Sequence, residues 1–248
     1  MSDKPLVGLV TPSGEAAVPS EAELYPDVRF ITAGLGLRQL TPAGYDAVID
    51  QIVERAESLA EQGAEAIGVS GTSLTFYRGY AFHEQLKESV HAATGLPVTT
   101  MSTGVVEGLR AFGVKRVAVG TAYIDEVNSR LRQFLSDSGF EVDTLEGLGL
   151  SNFGDPGKVT EADIQALGER VCAEAEDAKG SPPDGLLISC GGLRTVELTP
   201  ALEAACGVPV VSSRPAFMWS VVRMVSRAAP VAGYGRLLAL GAEAAAGG

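Results

Sequence analysis

Residues that commonly bind metal ions are scarce in this sequence, which has two histidines and three cysteines among 248 residues. Cys172, Cys190 and Cys206 are odd in number and lack the paired CxxC spacing of structural zinc sites. His83 and His91 lie about two helical turns apart in a polar, helical pattern, which favours solvated side chains. We therefore expect neither a disulfide framework nor a metal centre.

Basic residues are also few, with 19 lysines and arginines against 31 aspartates and glutamates, a net charge of −12. They are scattered along the chain and form no basic stripe. Nucleic-acid binding needs a local basic surface to contact phosphates, so no nucleic-acid partner is expected. An anionic small molecule remains acceptable if backbone dipoles hold it.

Long apolar runs are missing as well. The sequence contains no run of about 18 apolar residues, the length needed to cross a bilayer. Its first residues, MSDKPLVGLVTP, show neither a basic stretch followed by a long apolar run nor a small-residue cleavage site. We expect a soluble, cytoplasmic protein with no membrane partner.

Two glycine-rich segments begin like a dinucleotide-binding motif but do not complete it. GLGLRQ ends at Gln39 and GLGLSN ends at Asn152, where the motif requires glycine or alanine. No nicotinamide cofactor, and no other cofactor, is expected.

Apolar runs rich in valine and isoleucine are abundant, and they alternate with amphipathic segments of helical period. This alternation is typical of parallel strands joined by crossover helices. Strands are predicted in the runs that begin at Leu6, Ala64, Leu96, Val114, Gly185 and Val208, and helices over about 42–62, 80–93, 125–138 and 161–178.

A weak internal repeat divides the chain. GVSGTSL…TGLPVTTMSTGVVEGLRAFG has the same order of parts as LISCGGL…CGVPVVSSRPAFMWSVVRM, and LVGLVTP matches RVAVGTAY. We therefore predict two similar doubly wound parallel-sheet α/β units related by pseudo-twofold symmetry, with a shared cleft between them. The first unit covers 1–113, joined by a C-terminal helix over about 214–248, and the second covers 114–213. Gly71 aligns with Cys190, and the loop after Thr11 aligns with that around Tyr123.

The segment LLISCGGL, residues 186–193, places Cys190 at the end of a buried strand, where ligands usually bind. The two glycines after it allow backbone N–H groups to approach a ligand, at a predicted helix start. A cysteine with a pKa of about 8.5 is mostly protonated near neutral pH and can act as a general acid. A nucleophilic role would need a base beside it, and a structural role as a small buried side chain is the remaining alternative.

Three motifs in order, SGTSLTFYRG, GTAYIDEVN and LLISCGGL, with the flanking LYPDVRFITAGLGL and GVPVVSSRPA, resemble the aspartate/glutamate racemase superfamily. This superfamily also includes maleate isomerases, and the likeness is greatest to its arylmalonate decarboxylase family. The racemases and maleate isomerases carry a cysteine in each half, whereas here the first position is Gly71. The resemblance therefore implies cofactor-independent decarboxylation of an α-substituted (aryl)malonate, with Cys190 protonating an enediolate from one side to give an enantiopure acid.

The resemblance also implies the residues that surround the substrate. The cradle for the enediolate oxygens consists of Gly71, Thr72, Ser73, Tyr123, Gly191 and Gly192, and the apolar pocket for the departing carboxylate consists of Pro12, Leu37, Leu40 and Phe153. Around Phe153 the sequence departs from the family pattern, with a larger apolar residue and Pro156, which bears on substrate size.

Two alternatives remain open. One is a racemase or cis–trans isomerase of a small dicarboxylic or amino acid that uses a non-cysteine second acid. The other is a non-catalytic protein that binds carboxylates through the same cradle. All three functions share a small-molecule carboxylate as the expected partner.

Overall fold

The computed structural model describes residues 4–14, 18–225 and 229–241, which form two four-stranded parallel sheets flanked by helices. The first half contains β1 (Leu6–Thr11), β2 (Arg29–Gly34), α1 (Pro42–Asp46), α2 (Ile52–Glu61), β3 (Ala66–Val69), α3 (Thr72–Phe76), α4 (Tyr80–Thr94), β4 (Val98–Thr100) and α5 (Met101–Ala111). The second half contains β5 (Arg116–Thr121), α6 (Asp125–Asp137), β6 (Glu141–Gly147), α7 (Glu161–Lys179), β7 (Gly185–Ser189), α8 (Thr199–Cys206), β8 (Val210–Ser212) and α9 (Ser213–Arg223). Short 3₁₀ helices cover Ser20–Leu24, Ile49–Gln51 and Pro156–Lys158.

The two sheets have the same strand order, β2-β1-β3-β4 and β6-β5-β7-β8, and every neighbouring pair is parallel. This confirms the predicted fold class, two similar parallel α/β units. The central strands β3 and β7 are buried along their whole length, because helices cover both faces of a parallel sheet. Ligands bind at the carboxyl ends of such strands, so the order places equivalent binding edges in the two halves.

Two differences from the predicted elements concern helix length. The helix predicted over about 42–62 is interrupted, with α1 and α2 separated by a 3₁₀ turn at Ile49–Gln51. The C-terminal helix predicted over about 214–248 is shorter, because α9 ends at Arg223 and residues 229–241 form turns and irregular backbone. Residues 226–228 and 242–248 lie outside the described part of the chain.

Helix α9 packs tightly against elements of the first half. A Cβ atom on Gly104 of α5 would lie 2.7 Å from the carbonyl oxygen of Ala216, so the two backbones touch there. A Cβ on Gly68 of β3 would lie 2.8 Å from the ring of Phe217 and from Val221. Glycine at these two positions is what allows the close approach of α9. In the described ranges, the structure has no helix with both the length and the apolar character to cross a bilayer.

The prediction that both histidines are solvated is wrong for His83. Its side chain is buried, with Nε2 2.8 Å from Thr100 Oγ1 and 3.1 Å from Thr103 Oγ1. His83 lies on the face of α4 that packs toward β4 and α5. The polar residues next to it in the sequence lie on other faces of the helix, so they do not indicate that His83 is buried. Burial, aided by the Lys87 ammonium group, lowers the pKa of His83 to about 4, against the weaker opposite effect of Glu84.

Candidate active site

A cavity of about 400 Å³ lies where the carboxyl ends of the strands of both sheets meet. Thr11 and Gly71 reach it from the ends of β1 and β3, and Tyr123 and Cys190 reach it from the ends of β5 and β7. All of the predicted site residues line this one cavity, namely Pro12, Leu37, Leu40, Gly71, Thr72, Ser73, Tyr123, Phe153, Cys190, Gly191 and Gly192.

Cys190 has the most constrained backbone of the site. Its φ of 153° makes it the sole non-glycine residue with positive φ among those described, and such strain persists only where the surroundings enforce it. Its amide donates to Ser213 Oγ at 3.2 Å. Burial raises the pKa of the thiol, although hydrogen bonds from the Gly192 and Leu193 amides and the nearby Arg214 charge act in the opposite direction. The thiol is therefore protonated near neutral pH.

Gly71 occupies the position in the first half that Cys190 occupies in the second. Its φ is 102°, a conformation that side-chain-bearing residues rarely adopt. A Cβ atom there would lie 3.2 Å from Leu74 Cβ and 3.5 Å from Pro12 Cγ. Among the described residues, Cys190 is the one Cys, Asp or Glu side chain that lines the cavity, so the strand end at Gly71 offers no thiol or carboxylate.

The hydroxyl groups after Gly71 are fixed by contacts that cross between the two halves. Thr72 opens α3, and its Oγ1 donates to Ser213 Oγ at 2.8 Å. The Thr72 carbonyl accepts hydrogen bonds from Ser102 at 3.0 Å and from Thr75 at 3.1 Å. Ser213 thus contacts both Thr72 and the Cys190 amide, and it holds the two strand ends in register across the cavity.

Tyr123 supplies a phenol that remains protonated. Its hydroxyl lies 3.3 Å from Ser189 Oγ, and its ring packs edge-on against Phe76 with centroids 5.9 Å apart. Burial raises the pKa of Tyr123 well above its ordinary value. A neutral phenol in this position can donate a hydrogen bond to a developing negative charge.

The predicted helix start at Gly191 and Gly192 is wrong, because a turn follows β7 and α8 begins only at Thr199. The turn is closed by a hydrogen bond from the Leu193 amide to the Cys190 carbonyl, 3.1 Å long. A Cβ on Gly192 would lie 2.8 Å from Pro156 Cβ. Close packing of Pro156 therefore requires glycine at position 192. The N–H groups of Gly191 and Gly192 belong to a turn rather than to a helix terminus.

The apolar side of the cavity is built by the two glycine-rich segments that resemble dinucleotide motifs. They follow the edge strands β2 and β6 and meet in an antiparallel bridge between Gln39 and Asn152. The Leu40 amide donates to the Ser151 carbonyl at 2.7 Å, and the Phe153 amide donates to the Arg38 carbonyl at 3.0 Å. This pairing sets Leu37, Leu40 and Phe153 beside Pro12.

Ser213, Arg214 and Tyr45 are among the site residues that were not predicted. Ser213 and Arg214 lie in the repeated segment CGVPVVSSRPAFMWSVVRM, and they form the start of α9, but the sequence alone does not indicate their contacts. Tyr45 is fully buried and lies near Cys190 and Tyr123, so ionisation of any one of the three groups would affect the others. Burial raises the pKa of Tyr45. Nothing in the sequence marks Tyr45, because the sequence places it inside an ordinary amphipathic pattern.

Metal-binding side chains are not clustered in the described residues, where no group of three or more His, Cys, Asp or Glu side chains could hold an ion.

Comparison with known proteins shows the family. The family model described as arylmalonate decarboxylase matches residues 7–238. The arylmalonate decarboxylase of Bordetella bronchiseptica is 46% identical over 94% of this chain and 96% of its own length. The structure of a variant of arylmalonate decarboxylase, in which cysteine replaces a glycine and serine replaces a cysteine, superposes with a TM-score of 0.87 at 45% identity, over 94% of this chain and 98% of that chain.

A maleate isomerase of Nocardia farcinica is 28% identical over 94% of both chains. Its solved structure matches with a TM-score of 0.85 at 23% identity, covering 94% of this chain and 97% of that chain, which shows the shared fold. The extent of the family match and the 46% identity decide between these two relatives. The chain belongs to the arylmalonate decarboxylase family.

Proposed function

We propose that this protein decarboxylates an α-substituted malonate to a monocarboxylic acid of one handedness, without a cofactor, and that Cys190 donates the proton. The observation that carries the proposal is the pairing of Cys190 with Gly71 at equivalent strand ends of one cavity. One acidic side chain can deliver hydrogen to only one side of the substrate carbon.

The retained carboxylate binds in the cradle of Thr72, Ser73, Tyr123 and the turn at Gly191. Cleavage of the bond to the other carboxylate releases carbon dioxide and leaves an electron pair that spreads onto the retained carboxylate as an enediolate. Donors aimed at the enediolate oxygens stabilise this charge, and each such donor contributes about 2.7–4 kcal/mol to lowering the barrier. The departing carboxylate lies against Pro12, Leu37, Leu40 and Phe153, where its charge is disfavoured relative to neutral carbon dioxide.

The S–H proton of Cys190 then moves to the α-carbon, and the electron pair of the S–H bond stays on sulfur. Water returns a proton to the thiolate and completes the cycle. Because burial raises the pKa of this thiol, the donor is in its protonated form near neutral pH.

The test is to incubate the purified protein with phenylmalonate without added metal and to measure carbon dioxide and the chirality of the acid. We expect release of carbon dioxide and a single enantiomer, and we expect Cys190→Ala to abolish product formation. Cys206→Ala, which changes a thiol outside the cavity, serves as the matched control and should retain activity. Inactivity of the wild type toward several aryl- and alkenylmalonates would contradict the proposed reaction class.

The match to maleate isomerase makes cis–trans isomerisation the second candidate. It requires no loss of carbon dioxide, so incubation with maleate followed by chromatography of the dicarboxylates separates the two reactions. In deuterated water a racemase would also introduce label into recovered substrate, whereas a decarboxylase would not.

A further inference from the structure

Arg214 is in an unfavourable place for a positive charge. It is the second residue of α9, and the partial positive charge of a helix N-terminus repels a guanidinium group. Local contacts must therefore hold it there. Its Nη2 donates to the carbonyl of Gly191, the residue directly after Cys190, and its Nη1 lies 3.4 Å from Glu21 Oε2.

Glu21 is a buried carboxylate, 6% exposed, in the 3₁₀ helix Ser20–Leu24. Its other described hydrogen bond comes from Ser20 Oγ at 3.3 Å. A buried charge that loses its partner is strongly destabilising, so the ion pair with Arg214 fixes this segment. Pro19 and Ser20 line the cavity beside it, and the pair therefore joins the rim of the cavity to the turn that carries Cys190.

Arg214 is also the single charged side chain that the described part of the chain contributes to the cavity wall. Among the described residues, the titratable or charged groups that face Cys190 from the surrounding elements are Tyr45 on α1, Tyr123 after β5 and Arg214 on α9. Burial keeps both phenols neutral. Among the described residues, the Arg214 guanidinium is thus the formal charge that acts on the sulfur, and the ion pair with Glu21 partly neutralises it.

We propose that Arg214 is a positioning residue for the proton donor. Its guanidinium group fixes the turn after Cys190, and its positive charge stabilises the thiolate that forms when the proton leaves. Glu21 holds the guanidinium group in place and partly offsets its positive charge. The inference rests on the proposed function for its role in turnover. The guanidinium group itself neither gains nor loses a proton in the step. The S–H proton goes to the α-carbon, and the electron pair on sulfur is the charge that Arg214 faces.

The effect of burial and that of Arg214 on the thiol have opposite signs. Burial raises the pKa of Cys190, and the guanidinium charge lowers it. Removal of the positive charge should therefore make the thiol a weaker acid, and removal of the Glu21 charge should make it a stronger one.

The experiment measures how fast Cys190 reacts with iodoacetamide as a function of pH, because only the thiolate reacts. The background carries Cys172→Ser and Cys206→Ser, so that Cys190 is the one remaining thiol of the 248-residue chain, and mass spectrometry counts the modified protein. The midpoint of this pH dependence is the pH at which half of Cys190 is thiolate. We expect Arg214→Met to raise this midpoint by about one pH unit, which lowers the alkylation rate about tenfold at a fixed pH below the midpoint. Glu21→Gln should raise the rate, and Arg214→Lys should fall between wild type and Arg214→Met.

Arg223→Met, at the other end of α9, is the matched control and should leave the midpoint unchanged. An unchanged midpoint in Arg214→Met, or a raised midpoint in Glu21→Gln, would overturn the inference. If Arg214→Met does not fold, as judged by circular dichroism, Arg214→Lys and Glu21→Gln give the decision, since both preserve a hydrogen-bonding side chain.

Turnover gives a second readout. In the same variants the alkaline limb of the phenylmalonate pH–rate profile should move in the same directions as the alkylation midpoint. A protein that is inert toward malonates but shows the alkylation shifts would contradict the proposed function and leave the role of Arg214 intact. Normal turnover of malonates with no shift in the alkylation midpoint would support the proposed function and contradict the role of Arg214.

Discussion

At the scale of single residues, the site depends on what position 71 lacks as much as on the thiol at position 190. Gly71 has a φ of 102° and packs close to Leu74 and Pro12, so a side chain there is costly in conformation and in space. Its equivalent, Cys190, tolerates a φ of 153° and places sulfur in the cavity. The proposed one-sided protonation follows from this difference between two otherwise equivalent strand ends.

Gly71→Cys should therefore destabilise the protein and add an activity. We expect a loss of about 1–3 kcal/mol in the free energy of unfolding, because a non-glycine residue is forced to positive φ. We also expect racemisation of chiral aryl acids, detected as deuterium uptake at the α-carbon, since each face then meets a thiol. Gly71→Ala carries the same strain without sulfur and should not racemise. Full retention of optical purity in Gly71→Cys would contradict the two-sided geometry.

Phe153, on the apolar wall proposed for the departing carboxylate, should also border the α-substituent and limit the size of the substrate. Its ring lies on the apolar wall beside Leu37 and Leu40, so Phe153→Val should enlarge the space there. We expect the ratio of kcat/KM for naphthylmalonate over phenylmalonate to rise by about tenfold, within the range that apolar contacts provide. An unchanged ratio with intact folding would show that Phe153 does not border the α-substituent.

At the scale of elements, the sequence predicted six of the eight strands, including the edge strands β4 and β8, and missed the edge strands β2 and β6. The strands β3, β5 and β7 are continuous apolar runs because both faces are covered. The edge strands β2 and β6 are only partly buried and mix charged with apolar residues, so no periodic pattern distinguishes them from loops. The glycine-rich segments after them could be recognised as incomplete motifs, but their pairing at Gln39 and Asn152 depends on contacts between the two halves.

The residues of the site likewise divide into those that the sequence predicts and those that it does not. Positions at strand ends, such as Cys190 and Tyr123, could be predicted because topology brings strand ends together, and family resemblance identified their neighbours. Ser213 and Tyr45 could not, because their roles arise from packing between elements far apart in sequence. His83 was misjudged for the same reason, since its neighbours in the sequence are solvated and its neighbours in space are not.

His83 gives the fold a pH dependence. Burial lowers its pKa to about 4 in the folded protein, against about 6.5 in the unfolded chain. The unfolded state therefore binds the proton more tightly, and stability falls as the pH drops from about 6.5 to 4, by up to about 3 kcal/mol. Urea unfolding at several pH values should show this loss, and His83→Gln should remove most of it. His91→Gln, on the exposed side of α4, should leave the slope unchanged.

At the scale of the whole molecule, α9 joins the two halves. It follows β8 of the second sheet but packs on α5 and β3 of the first, through the glycine contacts at Gly104 and Gly68. Its first residue, Ser213, binds Thr72 from one half and the Cys190 amide from the other. One helix, which follows the second sheet in the chain and packs on the first, thus connects the two strand ends of the site.

Ser213→Ala should uncouple the two strand ends. We expect the free energy of unfolding to fall by about 1–3 kcal/mol, since buried partners lose a hydrogen bond, and kcat to fall by about tenfold or more, since small displacements of reacting groups are costly. Ser220→Ala, on the same helix, breaks hydrogen bonds to Thr99 and Glu107 away from the cavity. It should cost similar stability with little effect on kcat. Equal kcat losses in both variants would contradict the assigned role of Ser213.

We propose that residues 1–113 together with α9 form one unit and that 114–213 form the other, with Ser213 at their junction. The packing of α9 on α5 supports this division. Hydrogen exchange tests it, because the amides of α9 should exchange in step with those of α5 and β3 rather than with those of α8. Exchange of α9 together with α8 would place the helix in the second unit.

The matching strand orders of the two sheets have a stereochemical consequence. A framework that repeats itself carries no inherent preference for the left or right side of a flat reaction intermediate, since each half presents the same arrangement of strand ends. In the proposed reaction, the handedness of the product is therefore determined where the two halves differ, at positions 71 and 190.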